Sequence, residues 1–185
     1  MKYKITEETK IFLGKTLHRI VCVTAFANVS AGDTGGWIES GKNLDQDGDA
    51  WVSGNARVYG NARVSGYARV YGDAWVSGNA QIYGDAQVSG YARVYGDAWV
   101  SGNAQIYGDA QVEKIDDYTV LKNTWSSGRF FTYTASNKKW AVGCFYGTGE
   151  ELIKKAYADS DLSGKCYEAS VKYVEEIERI KGESV

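Results

Sequence analysis

Few residues in this chain could act on a substrate, and they are scattered. The one histidine, His18, lies just before the apolar run Ile20-Val21-Cys22-Val23 and is the single candidate general base. With no nucleophile or acid spaced around it, it reads as an ordinary strand residue. The three cysteines, Cys22, Cys144 and Cys166, are too few and too far apart for a disulfide framework or a zinc site. They read as free thiols packed as small hydrophobes, and Cys144 has no basic neighbour in sequence to activate it. Gly143-Cys144-Phe145-Tyr146-Gly147-Thr148-Gly149 falls between an expected strand and an expected helix, a place where phosphates can bind. Glu150 and Glu151 in the first turn of that helix would repel one. The segment therefore reads as a turn into a capped helix, and no catalytic residue, metal ligand set or cofactor is assigned.

Aromatic and basic residues offer binding chemistry instead. Trp125, Arg129, Lys138, Lys139 and Trp140 would make a basic-aromatic surface suited to an anionic ring such as a nucleotide, if they share a hairpin face. A core tryptophan flanked by solvated lysines is the competing reading. A second set comprises Trp51, Arg57, Arg69, Trp75, Arg93 and Trp99, and its spacing is regular.

That regularity comes from the element that must position them. Residues 48–113 are eleven consecutive hexapeptides, each reading Gly, Asn/Asp/Tyr, Ala, Trp/Arg/Gln, Val/Ile, then a last residue that is Ser or Tyr except for Glu113. So short a fixed period predicts a β-solenoid. Ala and Val/Ile, two apart, would point inward, leaving Trp/Arg/Gln and Ser/Tyr outside. The glycine present in every unit marks a corner that needs positive φ.

The aliphatic every six residues (Val52, Val58, Val64, Val70) with an alanine four further on (Ala56, Ala62, Ala68, Ala74) resembles the hexapeptide-repeat, left-handed parallel β-helix family. The family's fold implies a triangular prism with three hexapeptides per coil, hence about four coils here. Units n and n+3 would then stack, placing Arg69 over Trp51, and Arg57 and Arg93 on either side of Trp75. A second, near-verbatim period of 24 residues spans four units. It carries Trp51, Trp75 and Trp99 onto three different faces.

The flanks are not repetitive. Tyr3-Lys4-Ile5, Ile11-Phe12-Leu13 and Ile20-Val21-Cys22-Val23 look like strands, and Ile38 and Leu44, six apart, begin a degenerate first coil. The stretch from Ile20 through Trp37 to Leu44 resembles the lead-in of bacterial and phage hexapeptide-repeat proteins carrying transferase or polymer-forming labels. Residues 114–185 read as a small α+β cap. Strands are expected at Val120-Leu121, Arg129 to Thr134 and Lys139 to Tyr146, with a helix from a capping box at Thr148. A second helix over 165–181 should carry Cys166, Ala169, Tyr173, Ile177 and Ile180 on one side, with Tyr167, Val171 and Val174 widening the stripe. The expected organisation is thus a lead-in over 1–47, the solenoid over 48–113 and the cap over 114–185.

Net charge is −2, from 21 basic and 23 acidic side chains, so no global excess of positive charge points to nucleic acid. No apolar run reaches the roughly 18 residues of a membrane span. No signal-peptide pattern opens the chain, and a cytoplasmic location is the default. Acyltransferases of the resembling family use a histidine base and coil-interrupting loops. Here the only histidine lies outside the repeat, and the eleven units are uninterrupted. Outward tyrosines (Tyr59, Tyr71, Tyr83, Tyr95, Tyr107), corner tyrosines (Tyr67, Tyr91) and the three tryptophans are residue types enriched at interfaces. The expectation is a non-catalytic, oligomeric binding or scaffold protein of phage or prophage origin that acts on host machinery. The resemblance implies a trimer, a protein partner is expected, and the alternatives are sequestration of a nucleotide-like molecule between subunits and acyl transfer.

Overall fold

A computed structural model describes residues 1–183. The chain divides into two compact units, Met1–Ile115 and a second beginning at Asp116.

The first unit opens with a hairpin, β1 (Tyr3–Phe12) and β2 (Lys15–Cys22), followed by β3 (Thr34–Ile38). Tyr3–Ile5 and Ile11–Phe12 lie in one long strand, with a register shift between Ile5 and Thr9 that absorbs the polar stretch between them. The repeat then supplies eleven two-residue strands: β4 (Trp51–Val52), β5 (Arg57–Val58), β6 (Arg63–Val64), β7 (Arg69–Val70), β8 (Trp75–Val76), β9 (Gln81–Ile82), β10 (Gln87–Val88), β11 (Arg93–Val94), β12 (Trp99–Val100), β13 (Gln105–Ile106) and β14 (Gln111–Val112).

Each repeat strand pairs in parallel with the one three units on, as Trp51 does with Arg69 and Val52 with Val70. This is a β-solenoid of about four turns with three faces. The first runs β1-β2-β3-β5-β8-β11-β14, the second β4-β7-β10-β13, and the third β6-β9-β12. Ile38 pairs with Val58 and Leu44 bridges to Val64, so the degenerate first coil is real.

The physics of the repeat explains the shape. Every Ala and Val/Ile from Ala50 to Val112 is fully buried along the axis. Each buried Val or Ile contributes about 1.5–3 kcal/mol. Every repeat glycine turns a corner at positive φ, as Gly84 does at +68°, and the glycines stack on one another. A β-carbon on Gly84 would meet the Gly102 nitrogen at 2.9 Å, so both the turn and the close approach exclude a side chain. One corner adds a side-chain ladder in which Asn61 donates to Asn79 and Asn79 donates to Asp97.

The lead-in closes the first coil. Tyr3 donates its hydroxyl to the Leu44 carbonyl at 2.6 Å, and the Gln46 side chain bonds Lys2 N and Tyr3 O. Buried Asn43 donates to Gly60 O and Ala62 O, satisfying carbonyls at the bottom of the stack.

In the second unit, β15 (Tyr118–Lys122), β16 (Phe130–Thr134), β17 (Lys139–Val142) and β18 (Phe145–Gly147) form an antiparallel meander, followed by α1 (Gly149–Asp159) and α2 (Asp161–Glu183). The stretch expected as one strand over Lys139–Tyr146 is two, because Gly143 takes positive φ in a tight turn. Phe131, Tyr133, Trp140, Leu152, Tyr167, Val171 and Val174 make the core. The buried line of α2 is therefore Gly164, Tyr167, Val171 and Val174, while Ala169, Tyr173 and Ile180 face water. Gly164 sits against the Tyr157 ring, too close for a β-carbon, and that contact with α1 sets the rotation of α2. The capping box at Thr148 forms, with Glu151 N donating to Thr148 Oγ1 and Thr148 N donating to Glu151 Oε2 at 2.7 Å. Glu151 is thereby held at the N-terminus of α1. No helix among the described residues is long and apolar enough to cross a membrane.

Candidate functional site

The outward residues of the repeat form columns that climb each face. On the first face the column reads Trp37, Arg57, Trp75, Arg93, Gln111. The guanidinium of Arg57 lies 5.7 Å from the Trp75 ring centre on one side, and that of Arg93 lies 4.6 Å away on the other. This is the sandwich expected from stacking every third unit. The hairpin tip extends it: Phe12 packs edge-on to Trp75 at 4.7 Å and takes Arg57 on its own face at 4.5 Å. Trp37 is gripped in turn by Lys10 at 4.1 Å and Arg19 at 4.8 Å. Burial beside Arg57 and Arg19 lowers the Lys10 ammonium to a pKa of about 8.

The second face carries Trp51, Arg69, Gln87 and Gln105. Arg69 is the register neighbour of Trp51, but the indole is only 5% exposed because Phe26 and Tyr3 cover it edge-on. The third face carries Arg63, Gln81 and Trp99. Arg63 is held by Asp45 at 2.8 Å, and Trp99 is 48% exposed, edge-on to Tyr83. One repeat residue thus finds three environments. The lead-in covers the first tryptophan, touches the second and does not reach the third.

A neighbouring column on each face alternates serine and tyrosine, as expected: Tyr59, Ser77, Tyr95 on the first and Ser53, Tyr71, Ser89, Tyr107 on the second. The hydroxyls of Tyr71 and Tyr107 both donate to Gln87 Oε1, at 3.3 and 2.8 Å, which closes the notch over Ser89. Burial and the Tyr71 hydroxyl beside it push the Tyr107 phenol up from its ordinary value.

Corners differ as well. Tyr67, 60% exposed, stands on the edge between the third and second faces, and Tyr91, 72% exposed, on the edge between the second and first. The remaining edge is the Asn61-Asn79-Asp97 ladder. Aromatic corners therefore flank the second face on both sides.

The residues Trp125, Arg129, Lys139 and Trp140 do not form one surface. Trp140 is core, against Phe131 and Tyr133. Trp125 packs edge-on against Tyr167 at 5.0 Å, fixed by a turn in which Asn123 Oδ1 accepts from Trp125 N and Ser126 N. Arg129 just precedes β16 and Lys139 pairs with its last residue, Thr134, so the two stand at opposite ends of that strand. Arg129 instead lines a cavity of about 270 Å³ with Lys155, Cys144, Asn123 and Tyr167, over an apolar floor that includes Leu152.

His18 lies half-buried in β2, opposite Thr9 on one side and Ile38 on the other. Among the described residues, no three His, Cys, Asp or Glu side chains converge as a metal would require. Three contributors are not apparent from the sequence pattern: Trp37, Phe12 and Lys10. Trp37 precedes Ile38 as Arg57 precedes Val58, which is the one signal that could have found it. The displacement is 20 residues (58 − 38) rather than the 18 between later coils (76 − 58), because two extra residues follow Leu44. Nothing in the sequence marks the hairpin tip.

Residues 50–66, 56–72, 68–84 and 86–102 match the YdcK beta solenoid repeat. With the three-faced stack in view, the repeat segment is a β-solenoid similar to that repeat. No curated protein matches the chain.

Proposed function

We propose that this chain is a cytoplasmic, non-catalytic binding protein whose rigid solenoid presents aromatic residues for macromolecular contact, with self-association first. The observation that carries the reading is the placement of Tyr67 and Tyr91. Two large, exposed aromatics stand on the two edges of the second face, each following a corner glycine at positive φ. Tyrosines on a stiff backbone make good interface anchors, since little conformational entropy is lost when they are covered. The two tyrosine-bearing edges of the second face are the contact surface, and the trimer implied by the family resemblance is the expected assembly. A bacterial host protein is the expected further partner of a phage-encoded scaffold of this kind.

Native mass spectrometry of wild type and of the double variant Tyr67→Asp/Tyr91→Asp tests the reading. The wild type should be oligomeric at tens of micromolar, and the variant monomeric with an unchanged circular dichroism spectrum. A wild type that is monomeric and captures no protein through the second face would overturn it.

A further inference from the structure

The 24-residue period has a consequence beyond protein contact. Two slots open on the solenoid. One, of about 300 Å³, is lined by Asn28, Trp51, Ser53, Arg69, Tyr71 and Gln87. The other, of about 340 Å³, is lined by Tyr59, Trp75, Ser77, Arg93, Tyr95 and Gln111. Adding 24 to Trp51, Ser53, Arg69, Tyr71 and Gln87 gives Trp75, Ser77, Arg93, Tyr95 and Gln111. The same five side chains therefore line both slots, on different faces, because the sequence repeats every four units while the coil repeats every three.

From this we infer that each slot binds a planar aromatic ring carrying an anionic group, such as a nucleoside monophosphate, with two sites per chain. The inference deepens the non-catalytic binding reading by naming a small-molecule class. In the second slot its geometry rests on the Tyr-Ser-Tyr alternation, and in the first on Tyr71 beside Ser53. Tyr59 and Tyr95 are two coils apart, about 9.6 Å, with the small Ser77 between them. A ring lying over Ser77 would sit about 4.8 Å from each tyrosine, within the range of about 4.5–7 Å in which aromatic rings pair. The equivalent notch over Ser89 is already closed by the hydrogen bonds to Gln87, and Ser89 is only 8% exposed. Ser53 and Ser77 are more open.

The charge comes from the arginines. Among the described residues, Arg69 and Arg93 have no carboxylate within 4 Å, whereas Arg63 is paired with Asp45 at 2.8 Å. Arg93 holds its guanidinium 4.6 Å from the Trp75 ring centre, and its N–H groups can make a bidentate contact to phosphate or carboxylate. The first slot has an asparagine, Asn28, where the second has Tyr59. The second should therefore bind more tightly.

Isothermal titration with AMP as probe, on the full chain, tests this directly. Two equivalents should bind, with adenosine and ribose 5-phosphate each at least ten-fold weaker; a parallel titration with indole-3-acetate distinguishes a carboxylate from a phosphate requirement. Ser77→Tyr, which fills the notch, and R93Q should each reduce the stoichiometry to one, and R69Q/R93Q should abolish saturable binding. No saturable binding of either anionic ring, equal binding of AMP and adenosine, or unchanged stoichiometry in R69Q/R93Q would overturn the proposal. R93Q lies on the first face and leaves the second face with Tyr67 and Tyr91 untouched, so its subunit number should match wild type. Loss of the slots and loss of the proposed interface are thus read separately.

Discussion

Arg93 places its guanidinium 4.6 Å from the ring centre of Trp75, one coil away and eighteen residues earlier in the chain. A hexapeptide repeat stacked in threes brings these two together, and the contact couples adjacent coils through their side chains as well as their backbones. A double-mutant cycle of Trp75→Ala and Arg93→Ala, read by chemical unfolding, should give a coupling energy of about 0.5–1 kcal/mol. Additive single effects would mean that the pair is adjacent without attraction.

Two glycines with the same backbone geometry should differ in tolerance. Gly84 and Gly102 have φ of +68° and +61°, but a β-carbon at Gly84 meets Gly102 N at 2.9 Å while one at Gly102 meets nothing within 4 Å. Gly102→Ala should cost about 1–2 kcal/mol, the strain of a left-handed alanine. Gly84→Ala should cost at least about 1 kcal/mol more, because two coils must separate. Equal losses would show that the stack yields easily.

Lys10 gives the hairpin a pH signature. Its ammonium is lowered from an ordinary 10.5 to about 8 by burial, then by Arg57 and Arg19. A lysine depressed on folding binds fewer protons folded than unfolded between those two values. Stability should therefore rise as pH increases from about 8 to 10.5. Lys10→Met should flatten that slope, which thermal unfolding across the interval would measure. A carbon-detected NMR titration of Lys10 with a midpoint near 10.5 would contradict it.

Thr148 should anchor the first turn of α1. Thr148→Ala removes the acceptor for Glu151 N and is expected to cost about 1 kcal/mol. Hydrogen exchange of the first-turn amides is the readout, and an unchanged rate would deny the cap a role. The reciprocal bond from Thr148 N holds the Glu151 carboxyl below its ordinary value. Glu151's share should therefore be present at neutral pH and fade as pH falls through the acid range.

The repeat is legible in the amino-acid sequence because its information is local and redundant. Ala and Val/Ile at fixed spacing, with a glycine at every corner, leave one way to bury the apolar face, and eleven copies say so. The partners of Trp75 within the repeat follow from the same arithmetic. So does the capping box at Thr148, which depends on residues only three apart.

What surrounds the repeat was decided by tertiary structure alone. Trp51, Trp75 and Trp99 are near-identical in local sequence, yet one is buried under Phe26 and Tyr3, one is clasped by Phe12, and one is exposed. The lead-in that makes this difference, the β1–β2 hairpin and Phe26 after it, is distant in sequence from all but the first of these tryptophans. Likewise the rotation of α2 follows from the close fit of Gly164 on Tyr157, which no helical periodicity contains. Short-range pattern determined the elements and their stacking; long-range packing of non-repeating segments determined which of their faces remain open to a partner.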